Sequence, residues 1–210
     1  SLAAIVANAE FLCESRLSSD QREELYQEVR AAVNRMTDLI DSLLEFSRTP
    51  ESLRPAYGNV VESVERAVQA IRSHPEFHQV EISLRQEGNS LGWFDGRKLE
   101  RVFYNLLLNA CEGNGKRGAS TVIIRLQRDS SGSGVELLIQ DDGPGFSAEA
   151  LARPIHPFAT GKVDGTGLGL FTADRLVRAS GGLLSLANAP EGGALVGILL
   201  PLEKGSNAGD

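Results

Sequence analysis

From Leu25 onward, apolar residues recur at Val29, Ala32, Met36, Leu39, Leu43 and Phe46, with spacings of 4, 3, 4, 3, 4 and 3. This alternation is a heptad seam and predicts a long amphipathic helix. The opening stretch repeats the rhythm at Leu2, Ile5, Ala9 and Leu12. Between them, "SRLSSDQREE" offers helix-capping side chains at Ser18, Ser19 and Asp20, followed by acids for the first turn. The pattern is a helical hairpin, stopped at Thr49-Pro50. Its second seam is longer than its first helix covers, and each apolar side chain left wet forgoes roughly 1.5–3 kcal/mol. Two arrangements cover the seam: a partner hairpin in a four-helix bundle, or the chain's own second part. The regularity of the seam favours the dimer.

After the Pro-containing stretch "TPESLRPAYG", which reads as a linker, the pattern changes. "NVVESVERAVQAIRSH" and "GRKLERVFYNLLLNACEG" have helical spacing, and "QVEISLRQE" and "LGWFD" between them read as strands. "STVIIRLQR" and "GVELLIQ" alternate at period two, joined by the hairpin turn "DSSGSG". A Gly/Pro-rich loop leads into the helix "GLFTADRLVRAS". "GGLLSLANA" and "GALVGILLPL" then close the domain as a second hairpin, and "EKGSNAGD" is a polar tail. This order predicts an α+β fold: a two-layer sandwich with a mixed sheet and helices on one face, preceded by the all-α hairpin.

Bulk properties narrow the function classes. The chain has 210 residues, 41% hydrophobic and 23% charged, as expected of a globular protein with a real core. A net charge of -7 speaks against a nucleic-acid surface. Cys13 and Cys111 make no disulfide framework, which suits a reducing compartment. No apolar run approaches the ~20 residues of a membrane span. The start at "SLAAIV", without Met, is expected to be a cut within a longer chain.

Four features carry the chemistry. Asn105 and Asn109 stand at i and i+4, so their amides share one helix face and can offer oxygens to a hard cation. Asp141 ends a strand, and Gly143 and Gly145 bend the following "DDGPGF"; a carboxylate there can accept a hydrogen bond from an exocyclic amine. "HPFATGK" offers Phe158 as an apolar plug and Lys162 as a cation. "DGTGLGL" opens a helix whose free N–H groups and positive dipole end suit phosphate. It matches neither the dinucleotide nor the Walker-type glycine pattern. Taken singly, each is an ordinary polar helix edge, turn or surface loop; their joint order is what distinguishes them.

That order, N-x-x-x-N, D-x-G-x-G, F…K and G-x-G-x-G, resembles the N, G1, F and G2 boxes of the GHKL ATP-binding superfamily across Val60 to Leu202. The hairpin resembles the dimerisation and phosphotransfer module of two-component sensor histidine kinases. "SLAAIVANAEFL" is similar to the stretch just after their phospho-accepting histidine. The resemblance implies a Bergerat-type fold with four parts: a dimerisation hairpin over 1–49, a linker over 50–57, an ATP-binding domain over 58–203 and a flexible tail over 204–210. It implies ATP and Mg²⁺ as cofactors. Asn105 and Asn109 would hold Mg²⁺ and, through it, the phosphates, while Asp141 receives the adenine amine. Gly143 and Gly145 would shape the adenine pocket, and Phe158, Thr160 and Lys162 would form the lid, with Lys162 on the γ-phosphate. Gly165, Thr166, Gly167, Leu168 and Gly169 would cover the phosphates. Catalysis would rest on Asn105 and Lys162. An amide at 105 cannot act as the general base that hydrolysing relatives use, so transfer to a side chain is expected over hydrolysis.

The chain departs from that pattern in places. The acceptor histidine is expected about four residues before Ser1; His74, His78 and His156 are expected in surface or packing roles. Glu112 stands where many members have lysine, Asp142 where asparagine is common, adding negative charge near the nucleotide, and the lid from Phe146 to Asp164 is short. The resemblance further implies a homodimer through the hairpin, a response-regulator partner, no nucleic acid, and a cytoplasmic setting, with any membrane tether in segments outside this chain. A nucleotide-binding pseudokinase scaffold and a serine kinase of the anti-sigma-factor type are the alternatives. Leu39→Glu tests the seam: sedimentation is expected to report a monomer, and an unchanged size would show that the seam does not hold the dimer.

Overall fold

The computed structural model describes residues 11, 17–27, 29, 30, 32, 33, 36, 54–115, 117–162 and 165–202. The chain divides into two compact units, Ser1–Arg48 and Thr49–Asp210. In the first, a helix starts at Ser19. Gln21 N–H donates to Ser18 Oγ at 3.2 Å, and Ser18 N–H donates to Gln21 Oε1 at 3.1 Å. This reciprocal capping box assigns the cap to Ser18 among the three expected capping residues. Leu25, Val29, Ala32 and Met36 of the seam are half-buried, whereas Tyr26 and Val33 beside them are exposed. The remaining seam residues Leu39, Leu43 and Phe46, the first-helix positions Leu2, Ile5, Ala9 and Leu12, and the Thr49-Pro50 stop lie outside the described residues.

The second unit is a five-stranded mixed sheet under three long helices. Its strands are β1 (Ala56–Asn59), β2 (Glu81–Gln86), β3 (Leu91–Phe94), β4 (Thr121–Arg128), β5 (Gly134–Asp141), β6 (Leu183–Asn188) and β7 (Ala194–Pro201). The helices are α1 (Val60–Arg72), α2 (Gly96–Glu112), α3 (Ala148–Ala152) and α4 (Gly169–Ala179). The main sheet runs β2-β4-β5-β7-β6, parallel only between β2 and β4. This is the expected α+β arrangement, with both predicted hairpins in place.

Period-two alternation decides which face is covered. Val122, Ile124 and Leu126 of β4, Val135, Leu137 and Ile139 of β5, and Val196, Ile198 and Leu200 of β7 are all buried. Cross-strand register stacks them into rows such as Ile124–Ile139–Val196 and Leu126–Leu137–Ile198. Helices lie over these rows with matching stripes: Val60, Val64, Ala67 and Ile71 on α1, and Leu99, Val102, Phe103, Leu106, Leu107 and Ala110 on α2. Phe103 is fully buried. The other sheet face carries polar pairs such as Gln127 Nε2 to Glu136 Oε2 at 2.7 Å. Asp141 closes β5 opposite Val122, so the same alternation turns its carboxylate towards the helix layer.

Two short elements depart from the expected layout. β1 takes in Ala56 and Tyr57, the last residues of the 50–57 stretch, and pairs antiparallel with β3. Tyr57 faces Trp93 there, with ring centroids 5.8 Å apart in an edge-on contact. α3 is the second, a single turn capped by Ser147, whose Oγ accepts from Ala150 N–H. Among the described residues no helix is long and apolar enough to cross a membrane.

At the β6–β7 turn, Gly193 has φ +86°, and a Cβ there would lie 1.8 Å from the carbonyl oxygen of Asp141. Positive φ costs other residues about 1–2 kcal/mol even without a clash. Gly193→Ala is therefore expected to lower the melting temperature by roughly 3–8 °C in a thermal scan; an unchanged value would show that this turn relaxes freely.

Candidate functional site

Helix α2 leaves a half-buried stripe at Asn105, Leu108 and Asn109, running on to exposed Glu112, beside its buried stripe. Both asparagines therefore lie on one face, as the i, i+4 spacing demands. Asp95 starts the helix by accepting from Lys98 N–H at 3.2 Å. Past its far end Ala119 N–H donates to Ala110 O at 3.1 Å, and after β5 a Cβ on Gly143 would lie 3.0 Å from Asp141 Oδ1 and 3.7 Å from Ala119 N.

Asp141 is 9% exposed. Its Oδ1 accepts from Gly143 N–H at 2.9 Å and from Ala194 N–H at 3.0 Å. These two amides fix the orientation of the carboxylate. Oδ2 has no hydrogen bond among the described residues, so one acceptor is left for a donor entering the site. Asp142 points elsewhere: its Oδ1 accepts from Ser120 N–H at 2.8 Å and Thr121 N–H at 2.9 Å. The charge expected to burden a nucleotide is spent on the start of β4.

Gly145, at φ +75°, approaches Asn188, where a Cβ would stand 2.8 Å from Oδ1. Asn188 Oδ1 accepts from Phe146 N–H at 2.7 Å, and its Nδ2 donates to Phe146 O at 2.9 Å. This two-point clamp sets where the loop leaves the sheet. The sequence carries no local sign of it, because Asn188 sits at the end of β6, far along the chain.

The lid is pinched at its neck. Phe158 N–H donates to Gly167 O at 3.1 Å. Gly167 has φ +66°, and a Cβ on it would lie 2.5 Å from the Phe158 carbonyl carbon. Phe158 itself has φ +64°, the one non-glycine residue at positive φ among those described, and its side chain is 57% exposed. The expected apolar plug is therefore turned outward, and the residue orders the lid through its backbone. Of the three alternate glycines, only Gly167 needs positive φ. Gly165 instead makes room, since a Cβ there would lie 2.4 Å from Thr160 Oγ1 and 2.8 Å from Lys162 Cβ. Gly169 brings α4 against Asn105: a Cβ there would lie 4.0 Å from Asn105 Cβ and Cγ. Leu168 is fully buried, so any contact it makes with a ligand is through its backbone. Thr166 Oγ1 accepts from Leu168 N–H at 3.2 Å. Asp164 lies outside the described residues, as does Lys116.

α1, α2 and α3 are each capped by a side chain, whereas α4 has no side-chain cap bond. Its N-terminal amides retain the partial positive charge that attracts anions. Lys162 lies nearby, its Nζ donating to Asn109 Oδ1 at 3.0 Å and to Glu112 Oε2 at 2.8 Å. The Lys162 side chain is 16% exposed. Buried Cys111 reports how close these charges are. Desolvation first, then the Glu112 and Asp141 carboxylates, push its thiol up to about 11, and Lys162 partly offsets them. The thiol stays protonated at neutral pH. Among the histidines, His74 packs by its Nε2, 3.1 Å from Tyr104 Oη, and His78 and His156 are exposed.

The arrangement is an acceptor carboxylate at one end, an uncapped helix start at the other, and amide oxygens with a lysine between. Residues 94–204 match the family described as "Histidine kinase-, DNA gyrase B-, and HSP90-like ATPase". The chain belongs to that family of ATP-using domains. Residues 1–52 match the "His Kinase A (phospho-acceptor) domain". The "C4-dicarboxylate transport sensor protein DctB" of Pseudomonas aeruginosa is 33% identical over 92% of this chain and 32% of its own length. The "Sensor histidine kinase ZraS" of Klebsiella oxytoca is 28% identical, over 96% and 43%. The chain thus spans only 32% and 43% of these relatives' lengths. Histidine kinase ThkA, solved in complex with response regulator protein TrrA, superposes with a TM-score of 0.74 at 16% identity, over 96% of this chain and 57% of that one, which speaks to the fold alone.

Asp141→Asn keeps an oxygen for the two backbone donors but places an NH₂ donor where Oδ2 stands. It is expected to weaken ATP binding about a hundredfold in calorimetric titration, with the melting temperature within about 2 °C of wild type. Wild-type affinity in the variant would remove Asp141 from the site.

Proposed function

We propose that this chain is the dimerisation and catalytic core of a two-component sensor histidine kinase. It takes up ATP between α2, the end of β5 and the lid, and passes the γ-phosphoryl group to a histidine just upstream of Ser1. The observation that carries this reading is the half-satisfied Asp141 carboxylate, held by backbone amides with one oxygen to spare. That geometry suits the exocyclic amine of adenine. Gly143 and Gly145 shape the same pocket, and the uncapped start of α4, with Gly165, Thr166, Gly167, Leu168 and Gly169, covers the phosphates. Thr160 and Phe158 order the lid that brings Lys162 to the γ-phosphate.

Mg²⁺ suits the donor set, because Asn109 Oδ1 already accepts a cation in the form of the Lys162 ammonium. Asn109 and Asn105 would hold it, and it would neutralise charge on the phosphates. Asn105 orients without taking a proton, so no residue at this position activates water, and transfer outcompetes hydrolysis. The P–O bond to ADP breaks as a bond forms to the histidine nitrogen. The phosphoryl group then moves to an aspartate oxygen of a response regulator. The chain's own contribution is positioning and charge compensation.

Pairing of two hairpins into a homodimer agrees with the half-buried seam and with the phospho-acceptor match. Residues 1–49 would form that unit, 50–57 the connection, 58–203 the ATP-binding domain and 204–210 a tail. The setting is cytoplasmic, including the inner part of a membrane-tethered sensor. The same match gives no support to a scaffold without transfer or to an anti-sigma-factor-type serine kinase.

Full-length protein incubated with γ-labelled ATP and Mg²⁺ is expected to acquire acid-labile, alkali-stable label. Acid-stable label, or phosphate release without labelled protein, would overturn the reading.

A further inference from the structure

Lys162 belongs to the lid, yet its ammonium is anchored on α2. Two of its three N–H donors are committed, one to Asn109 Oδ1 at 3.0 Å and one to Glu112 Oε2 at 2.8 Å. The side chains of Lys162 and Glu112 are 16% and 42% exposed, so the lysine is the more enclosed partner. Its stem is threaded past two glycines: a Cβ on Gly165 would lie 2.8 Å from Lys162 Cβ, and one on Gly115 would lie 3.8 Å from it. A side chain at Gly165 would crowd that path, so this glycine leaves room for the lysine in this position. Resting on the nucleotide-site reading above, one consequence is a conflict. Asn109 Oδ1 is the oxygen assigned to Mg²⁺, and two cations do not share an amide oxygen without repulsion.

We infer that Glu112 is a positioning residue of the nucleotide site: by pairing with Lys162 it parks the lid cation on Asn109 Oδ1, so that metal-nucleotide is taken up in competition with this contact. The carboxylate also cancels the lysine's charge where the phosphates arrive. Uptake requires Lys162 to exchange Glu112 and Asn109 for phosphate oxygens, and the amide oxygen is freed in the same movement. The lid is thereby coupled to the contents of the site through one side chain. Removing the Glu112 charge leaves the lysine tethered only by the amide, and uptake becomes easier.

The test is a double-mutant cycle, E112Q, K162M and E112Q/K162M, with E112A as a second neutral variant, read by calorimetric titration of ATP at fixed and varied MgCl₂. E112Q and E112A are expected to bind Mg·ATP about three- to tenfold more tightly than wild type and to need less Mg²⁺ for half-saturation. In the K162M background the Glu112 substitution is expected to change nothing. Unchanged or weaker binding in E112Q and E112A overturns the inference. So does an equal gain with the lysine absent, which marks direct repulsion of phosphate by Glu112. If wild-type protein binds no ATP, the nucleotide site falls as well; if it binds and the cycle is flat, only the role of Glu112 falls.

Discussion

A single carboxylate oxygen ties together the end of the sheet where the candidate site lies. Asp141 Oδ1 receives one amide from the loop that follows β5 and another from the first residue of β7. Those bonds sit at the edge of the apolar layer, where an unpaired carboxylate would be costly. They let an acid end a core strand and still present its other oxygen. The Asn188 clamp on Phe146 then sets the direction of the exiting loop, so both sides of the G1 turn are tied to the final hairpin. The rigid half of the site is therefore a property of the sheet.

The lid half is built differently. Its neck is a backbone contact between Phe158 and Gly167, and its anchor is a side chain reaching back to α2. Phe158 holds a left-handed conformation that costs a non-glycine residue about 1–2 kcal/mol, a form of strain found where loops must turn sharply near a ligand. Few apolar contacts secure the segment: Phe158, Ala159, Thr160 and Gly161 are all exposed. A segment this exposed opens more readily than the buried strands of the sheet.

Helices α1, α2 and α4 and the two hairpins were legible because their burial follows local periodicity, with little competition from other signals. β1 was not: "AYGN" follows a proline and contains a glycine, and only its pairing with β3 makes it a strand. The site divides along the same line. Asn105 and Asn109, Asp141 and the glycine run announce themselves through spacing within one element. Asn188, Asp142 and Gly193 do not, since their partners lie in other, sequence-distant segments and no local pattern marks them. Phe158 misleads for a related reason. An aromatic in a loop reads as something to bury, but the left-handed backbone at that residue turns the ring out. Glu112 looked like a departure from a family pattern, and the structure pairs it with the lid lysine.

The Ala194-to-Asp141 bond has a further meaning for how the protein comes into being. It joins positions separated by 53 residues, and the Lys162–Asn109 contact joins positions separated by the same interval. Closing loops of that length is entropically slow compared with forming helices and hairpins. During synthesis the asparagine-bearing helix and the β4–β5 hairpin emerge well before β7 does. Asp141 therefore lacks one of its two supports until the last hairpin has been made and has joined the sheet. A site built on Asp141 is thus completed only as one of the final folding events, and a partly made chain has no finished version of it.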